Sequence, residues 1–255
     1  MHTNKENENT DLIIGRNAVS EALRSERTID TLLVVRGEKN GSVGRIIAQC
    51  KEKGIVIKEV DKKKLDFMCP GGNHQGVVAY AAVHEYASVE DIFALAQSRN
   101  EDPFIIICDE LEDPHNLGAV IRTAECTGAH GIIIPKRRNA SLSWAVGKAS
   151  AGAVEYVPVA RVGNLVSVID DLKKKGLWVY CADMDGQNWC ETDFSGPVAL
   201  VVGSEGKGVS RLIKEKSDFT VSLPMQGNIT SLNASVAAGV LMYEVARQRL
   251  KIKAK

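Results

Sequence analysis

The sequence has no surplus of either charge: 32 lysines and arginines meet 32 aspartates and glutamates over 255 residues. A zero balance gives no global case for nucleic acid, so any RNA or DNA contact must rest on local patches. No uninterrupted apolar run approaches the roughly 20 residues that span a bilayer, so no membrane role is expected. The six cysteines (50, 69, 108, 126, 181, 190) include no Cys-x-x-Cys pair and no histidines at zinc spacing. No metal site is expected, and the cysteines read as reduced thiols, several of them inside apolar strands. The opening stretch is polar and lacks a signal-peptide core, so residues 1–11 read as a disordered tail. The expected compartment is cytoplasmic.

What is present is a globular composition, 44% hydrophobic and 25% charged, long enough for one large domain or two ordinary ones. Residues 12–24 read as a short helix and 31–35 as a buried strand. Apolar positions Val43, Ile46, Ile47 and Cys50 have helical spacing. Gly54 ends that helix, 55–60 alternates as a strand, Lys62, Lys63 and Lys64 open another short helix, and 77–82 is a strand. Together, residues 12–83 form a small α/β module. The lysine run is solvated by default, with phosphate contact as its functional reading. The turn at 73–76 (Asn, His, Gln, Gly) is a turn by composition. Residues 84–102, with a helix capped by Ser88, read as the connection between this module and a second, larger domain.

From Phe104 the pattern changes. Residues 104–108, 131–134 and 197–202 are continuous apolar strands; shorter ones lie near 156–159, 177–180 and 219–223. Helices are expected over 116–127, near 143–150 and over 164–175. Such strands alternating with helices predict a mainly parallel sheet covered on both faces. Ligands of such sheets bind at the strands' carboxyl ends, which directs attention to three loops. The first follows Cys108, the second is the glycine loop 203–210, and the third follows the strand that ends near Leu223. The glycine loop fails the Walker A pattern, because Val209 and Ser210 follow Gly208 where lysine is needed. It also fails the dinucleotide fingerprint, since its glycines fall at 203, 206 and 208. After the third loop, residues 234–242 are apolar on nearly every face. A helix of that kind needs cover on all sides, hence a partner subunit or a second layer. Ser231 and Asn233 at its mouth are helix-capping residues by default.

Taken together, the three loops resemble the three motifs of SpoU-type RNA 2′-O-ribose methyltransferases of the SPOUT class. The first motif is carried by Asn116, Gly118, Arg122 and Ala124, and the second by Gly203, Glu205, Gly206 and Gly208. The third is carried by Leu223, Pro224 and Met225 with Ser231, Asn233 and Ser235. The likeness covers about residues 104–249. The leading module resembles the RNA-binding domain of the subgroup that methylates guanosine in 23S rRNA, whose turn matches Asn73–Gly76.

The resemblance implies S-adenosyl-L-methionine as donor, a deep trefoil knot in a domain spanning 103–255, and a homodimer through the carboxy-terminal helix. Gly203, Leu223, Met225 and Leu232 would hold the cofactor. Arg122, Asn116, Glu205, Ser231 and Asn233 would form the catalytic set, and Lys62, Lys63, Lys64, His74, Arg137 and Arg138 would contact RNA. Arginine's pKa above about 12 suits it to anchoring phosphate or orienting a hydroxyl, not to acting as base. His115, outside the strict motif, is a neighbour and not a catalyst. Competing readings are tRNA ribose methylation by the same chemistry, or a non-catalytic RNA-binding ribosome-assembly protein.

Overall fold

A computed structural model describes residues 12–25, 28–38, 41–81 and 83–252; the expected amino-terminal tail lies outside them. The chain forms two units, one comprising the residues up to Glu85 with Ser141–Trp144, the other Tyr86–Ala140 and Ala145 onward.

In the first unit, four strands lie in the order β1 (Leu12–Ile14), β4 (Val77–Ala81), β2 (Ile29–Val35) and β3 (Val56–Val60). Alternation along β2 sends Leu32 and Val34 to one face and Leu33 to the other. The first face packs on α1 (Arg16–Arg24) and α2 (Gly41–Glu52) through Val19, Leu23, Val43 and Ile46. Leu33 packs with Leu65 of α3 (Lys62–Met68) on the second face. The expected helix over 12–24 is therefore corrected. Leu12, Ile13 and Ile14 pair antiparallel with Tyr80, Ala79 and Val78, and the helix starts only at Arg16. Gly15 between them has φ 93°, a conformation that ends a strand and that no helix contains.

In the second unit, six parallel strands lie in the order β10-β8-β9-β5-β6-β7. These are β5 (Phe104–Cys108), β6 (Gly131–Pro135), β7 (Val159–Val162), β8 (Trp178–Asn188), β9 (Val198–Val202) and β10 (Phe219–Ser222). Ile105, Ile107, Ile133 and Val201 face a core closed by α4 (Val89–Ser98), α7 (Leu165–Lys174) and α8 (Arg211–Lys216). Their alternates Phe104, Ile106, Ile132 and Leu200 are equally buried, on the face where α5 (Pro114–Cys126) and α9 (Ala234–Arg249) lie. The short α6 (Trp144–Ala149) follows β6.

From Tyr86 on, the stretch read as a connection is part of this second unit. Ser88 and Asp91 form a capping box on α4, whose Ile92 and Ala96 are buried. A Cβ on Gly131 would lie 2.5 Å from Ile92, so α4 and β6 are in direct contact. The strand expected near 156–159 begins only at Val159, after a 3₁₀ turn at Ala153–Glu155. Strand β8 runs eight residues past Tyr180, and its register with β10 shifts between Thr220 and Val221. Gly186 fits there because a Cβ would meet the Thr220 carbonyl carbon at 2.5 Å.

Candidate active site

Because the sheet is parallel, the loops leaving β5, β9 and β10 emerge along one edge. Connections from β5 run toward β6 and β7, while β9 and β10 build the other half. The order reverses between β5 and β9, the kind of place where ligands of such sheets bind. Asp109, buried at the end of β5, accepts a 2.7 Å hydrogen bond from the Ser210 N–H. That bond fastens the far end of the glycine loop to the first motif's strand. The loop closes on itself through Ser204 and Gly208, which exchange backbone hydrogen bonds of 3.1 and 2.9 Å. A Cβ on Gly203 would fall 2.1 Å from the Gly208 carbonyl carbon, so only glycine fits there.

Three motif side chains meet. Asp113 caps α5 by accepting from the His115 N–H, and Pro114 sits in the first turn. This start places Asn116 inward, buried. Its Nδ2 donates to Glu205 Oε1 at 3.1 Å, and its Oδ1 accepts from Asn233 Nδ2 at 2.9 Å. Asn233 Nδ2 also donates to Glu205 Oε1. Asn233 is at the same time the N-cap of α9, its Oδ1 accepting from the Ser235 and Val236 N–H groups. The cap is thus Asn233 and not Ser231. The oxygen serves the helix and the amide serves the site, so one residue joins both motifs.

Beside this network lies a cavity of about 260 Å³, just below the roughly 300–1,000 Å³ of ligand pockets. Gly203, Leu223, Met225 and Leu232 all line it, together with Glu205 and Ser231. Apolar walls plus loop backbone can sandwich a flat heterocycle and read its edge through main-chain groups. Asp183 and Met184, which sequence reasoning missed, line the same cavity from the extension of β8. The nearest signal was their place just past a buried strand's carboxyl end. Lys214 Nζ lies 3.0 Å from Asp183. Burial pushes the Asp183 carboxyl up, but hydrogen bonds from Lys214 and from backbone N–H groups outweigh it, leaving it below the usual carboxylate range.

Arg122 is not brought to this cavity. It is exposed on α5, six residues beyond Asn116 and so about 240° further round the helix. Arg137 and Arg138 are both exposed, and Arg138 pairs with Glu110 at 2.8 Å. Lys62, Lys63 and Lys64 are exposed on α3. His74 departs from its expected role as an RNA contact: it is 6% exposed, and both ring nitrogens are occupied within the protein. Nδ1 accepts from the Gly76 N–H at 2.9 Å, which leaves Nε2 to donate to Asp66 at 2.9 Å. His74 shapes its turn. No cluster of metal-ligating side chains occurs among the described residues, and no helix there is long and apolar enough to cross a membrane.

Comparison with known proteins identifies the two parts. Residues 103–243 match the SpoU rRNA methylase family, and residues 12–87 match the RNA 2′-O ribose methyltransferase substrate-binding family. A Bacillus subtilis protein assigned to the TrmH family of tRNA/rRNA methyltransferases is 51% identical over 240 residues, 94% of this chain and 96% of that one. The SpoU methyltransferase AviRb of Streptomyces viridochromogenes, solved with S-adenosylmethionine, is 25% identical. It superposes with a TM-score of 0.60 over 94% of this chain and 90% of its own. An S-adenosylmethionine-bound rRNA methyltransferase of Sinorhizobium meliloti gives 26% and 0.58, over 94% and 87%. The chain belongs to the SpoU/TrmH family of S-adenosylmethionine-dependent RNA methyltransferases.

Proposed function

We propose that this protein methylates the 2′-hydroxyl of a ribose in RNA, and that its target is a guanosine of 23S rRNA in the cytoplasm. The observation that carries the reading is the convergence of Asn116, Glu205 and Asn233 beside the cavity walled by Gly203, Leu223, Met225 and Leu232. The donor fits this cavity chemically. Its adenosine suits the apolar walls and main-chain edge, and Gly203 lets the loop that forms part of that edge close on Gly208 and Val209, where any Cβ would collide.

When bound, the donor supplies an electrophilic methyl group. Everything else falls to the chain's own residues. Glu205 is held by two amide donors, so its carboxylate keeps one orientation at the cavity wall. Ser231, also lining the cavity, can orient the acceptor ribose there. An arginine is a poor general base, so Arg122 anchors phosphate or orients the hydroxyl of an RNA strand lying outside the cavity. Holding donor and acceptor in line supplies a large share of the rate.

The reading includes a homodimer. On α9, Val236, Val240 and Tyr243 are 50%, 36% and 57% exposed, an apolar stripe that a second copy would cover. It also includes a trefoil knot formed by the chain around the second and third motif loops, which both reach the cavity.

The test is to map 2′-O-methyl positions in total RNA from cells with and without the protein. A guanosine of 23S rRNA should lose its mark. Loss at a tRNA ribose would move the substrate class, and no loss anywhere would favour a non-catalytic assembly role.

A further inference from the structure

In the first unit the most exposed large apolar side chain of all the described residues stands on a lysine-rich helix. Phe67 is 87% exposed. Single exposed apolar residues are ordinary on protein surfaces; the surroundings of this one are not. On α3, Leu65 points into the core. At about 100° per residue, Lys63 and Phe67 lie roughly 160° and 200° round from Leu65, squarely toward solvent. Lys64 follows on the other flank of the ring. Lys63 and Phe67 are neighbours one turn apart, and Lys64 and Phe67 are three residues apart on the same surface. Phe67 thus stands between the positions of two exposed lysines on the solvent side of the helix.

The turn at 73–76 is tied to this same helix. Asp66, next to Phe67, accepts the His74 Nε2–H, and the histidine's other nitrogen takes the Gly76 N–H. Helix and turn are therefore joined through His74, and Asn73 and Gln75 of the turn are exposed. An exposed ring with exposed lysines at neighbouring helix positions complements one ligand chemistry in particular. Unpaired nucleobases stack on the ring, and the phosphates joining them meet the ammonium groups.

We propose that Phe67, flanked by Lys63 and Lys64, is a stacking platform for an unpaired base of the RNA substrate. The proposal rests on the first unit's role in binding RNA and adds which feature of RNA it selects: single-stranded bases, not duplex.

The test uses the full chain, a short fluorescein-labelled single-stranded RNA of mixed sequence, and the duplex of the same length. Base–aromatic stacking worth roughly 1–3 kcal/mol predicts that F67A weakens single-strand binding by about 5- to 150-fold. Duplex binding should be unchanged, and F67W should restore the loss. K63Q should reduce the slope of log affinity against log salt by about 0.7, the single-strand value per phosphate contact. Because Phe67 is exposed, F67A keeps the core, so lost binding is not lost folding. Unchanged single-strand affinity in F67A, or an equal loss on duplex, overturns the platform while the unit's RNA-binding role stands. Wild-type protein that binds neither probe overturns that role and the platform with it.

Discussion

Replacing Gly203 by alanine tests whether the glycine loop is a wall of the cofactor site. The added Cβ would sit 2.1 Å from the Gly208 carbonyl carbon and 2.2 Å from the Val209 nitrogen, both backbone atoms. Ordinary contact begins near 3.4 Å, so the loop must give by about 1.3 Å (3.4 less 2.1). A shift of that size breaks the two Ser204–Gly208 hydrogen bonds, which stand at 2.9 and 3.1 Å. Overpacking of about 1–3 kcal/mol and two hydrogen bonds of about 1 kcal/mol each give roughly 3–5 kcal/mol of strain. A fold stable by about 5–15 kcal/mol survives this, particularly as a surface loop can open locally. Without ligand the loop relaxes. Binding restores the original geometry and with it the strain, so even 3 kcal/mol raises the Kd about 150-fold. Calorimetric titration with S-adenosylmethionine measures this, with circular dichroism to confirm the fold. Gly227→Ala is the control, since a Cβ there meets nothing within 4 Å. An unchanged Kd in folded G203A refutes the loop's place in the cofactor wall.

Arg122→Ala should cut turnover by about 100-fold or more, the scale of lost positioning, while leaving cofactor affinity intact; normal turnover removes its assigned role. Val240→Lys puts a charge in the exposed stripe of α9, so light scattering should show a dimer becoming monomer; a monomeric wild type counts against the seam. His130 is buried, with Nδ1 accepting from the Phe104 N–H and Nε2 beside Glu101. Burial pushes its pKa below the ordinary 6.5, and Glu101 only partly offsets this. The unfolded chain therefore takes the proton first as pH falls below about 6.5, and stability drops with it. The difference in urea stability between wild type and His130→Gln should shrink from pH 7 to pH 5; a constant difference contradicts the shift.

Much of this architecture was legible along the chain because it depends on short-range chemistry. Runs such as 104–108 and 197–202 can only be strands buried on both faces. The three motif loops follow such strands, and their order alone pointed to the family. Where local signals competed, reading failed. Residues 12–14 looked like a helix start, but their partner in sheet formation, 78–80, lies more than sixty residues away. The polar extension of β8 carries no apolar pattern, so only the place of Asp183 and Met184 past a buried strand hinted at the cavity.

By itself, then, the sequence determined the α/β class, the parallel sheet and the identity of the three loops, since each follows from local pattern and motif. Only the tertiary structure decided what those side chains do. Two polar residues stood at the mouth of α9, and local propensity could not choose between them. Asn233 caps because its amide also finds Asn116 and Glu205, 117 and 28 residues away in sequence. The histidine of the turn at 73–76 was expected to contact RNA, but in the packed chain Asp66 and Gly76 take both its nitrogens. Burial and long-range partnership are properties of the packed chain, and no stretch of sequence carries them alone.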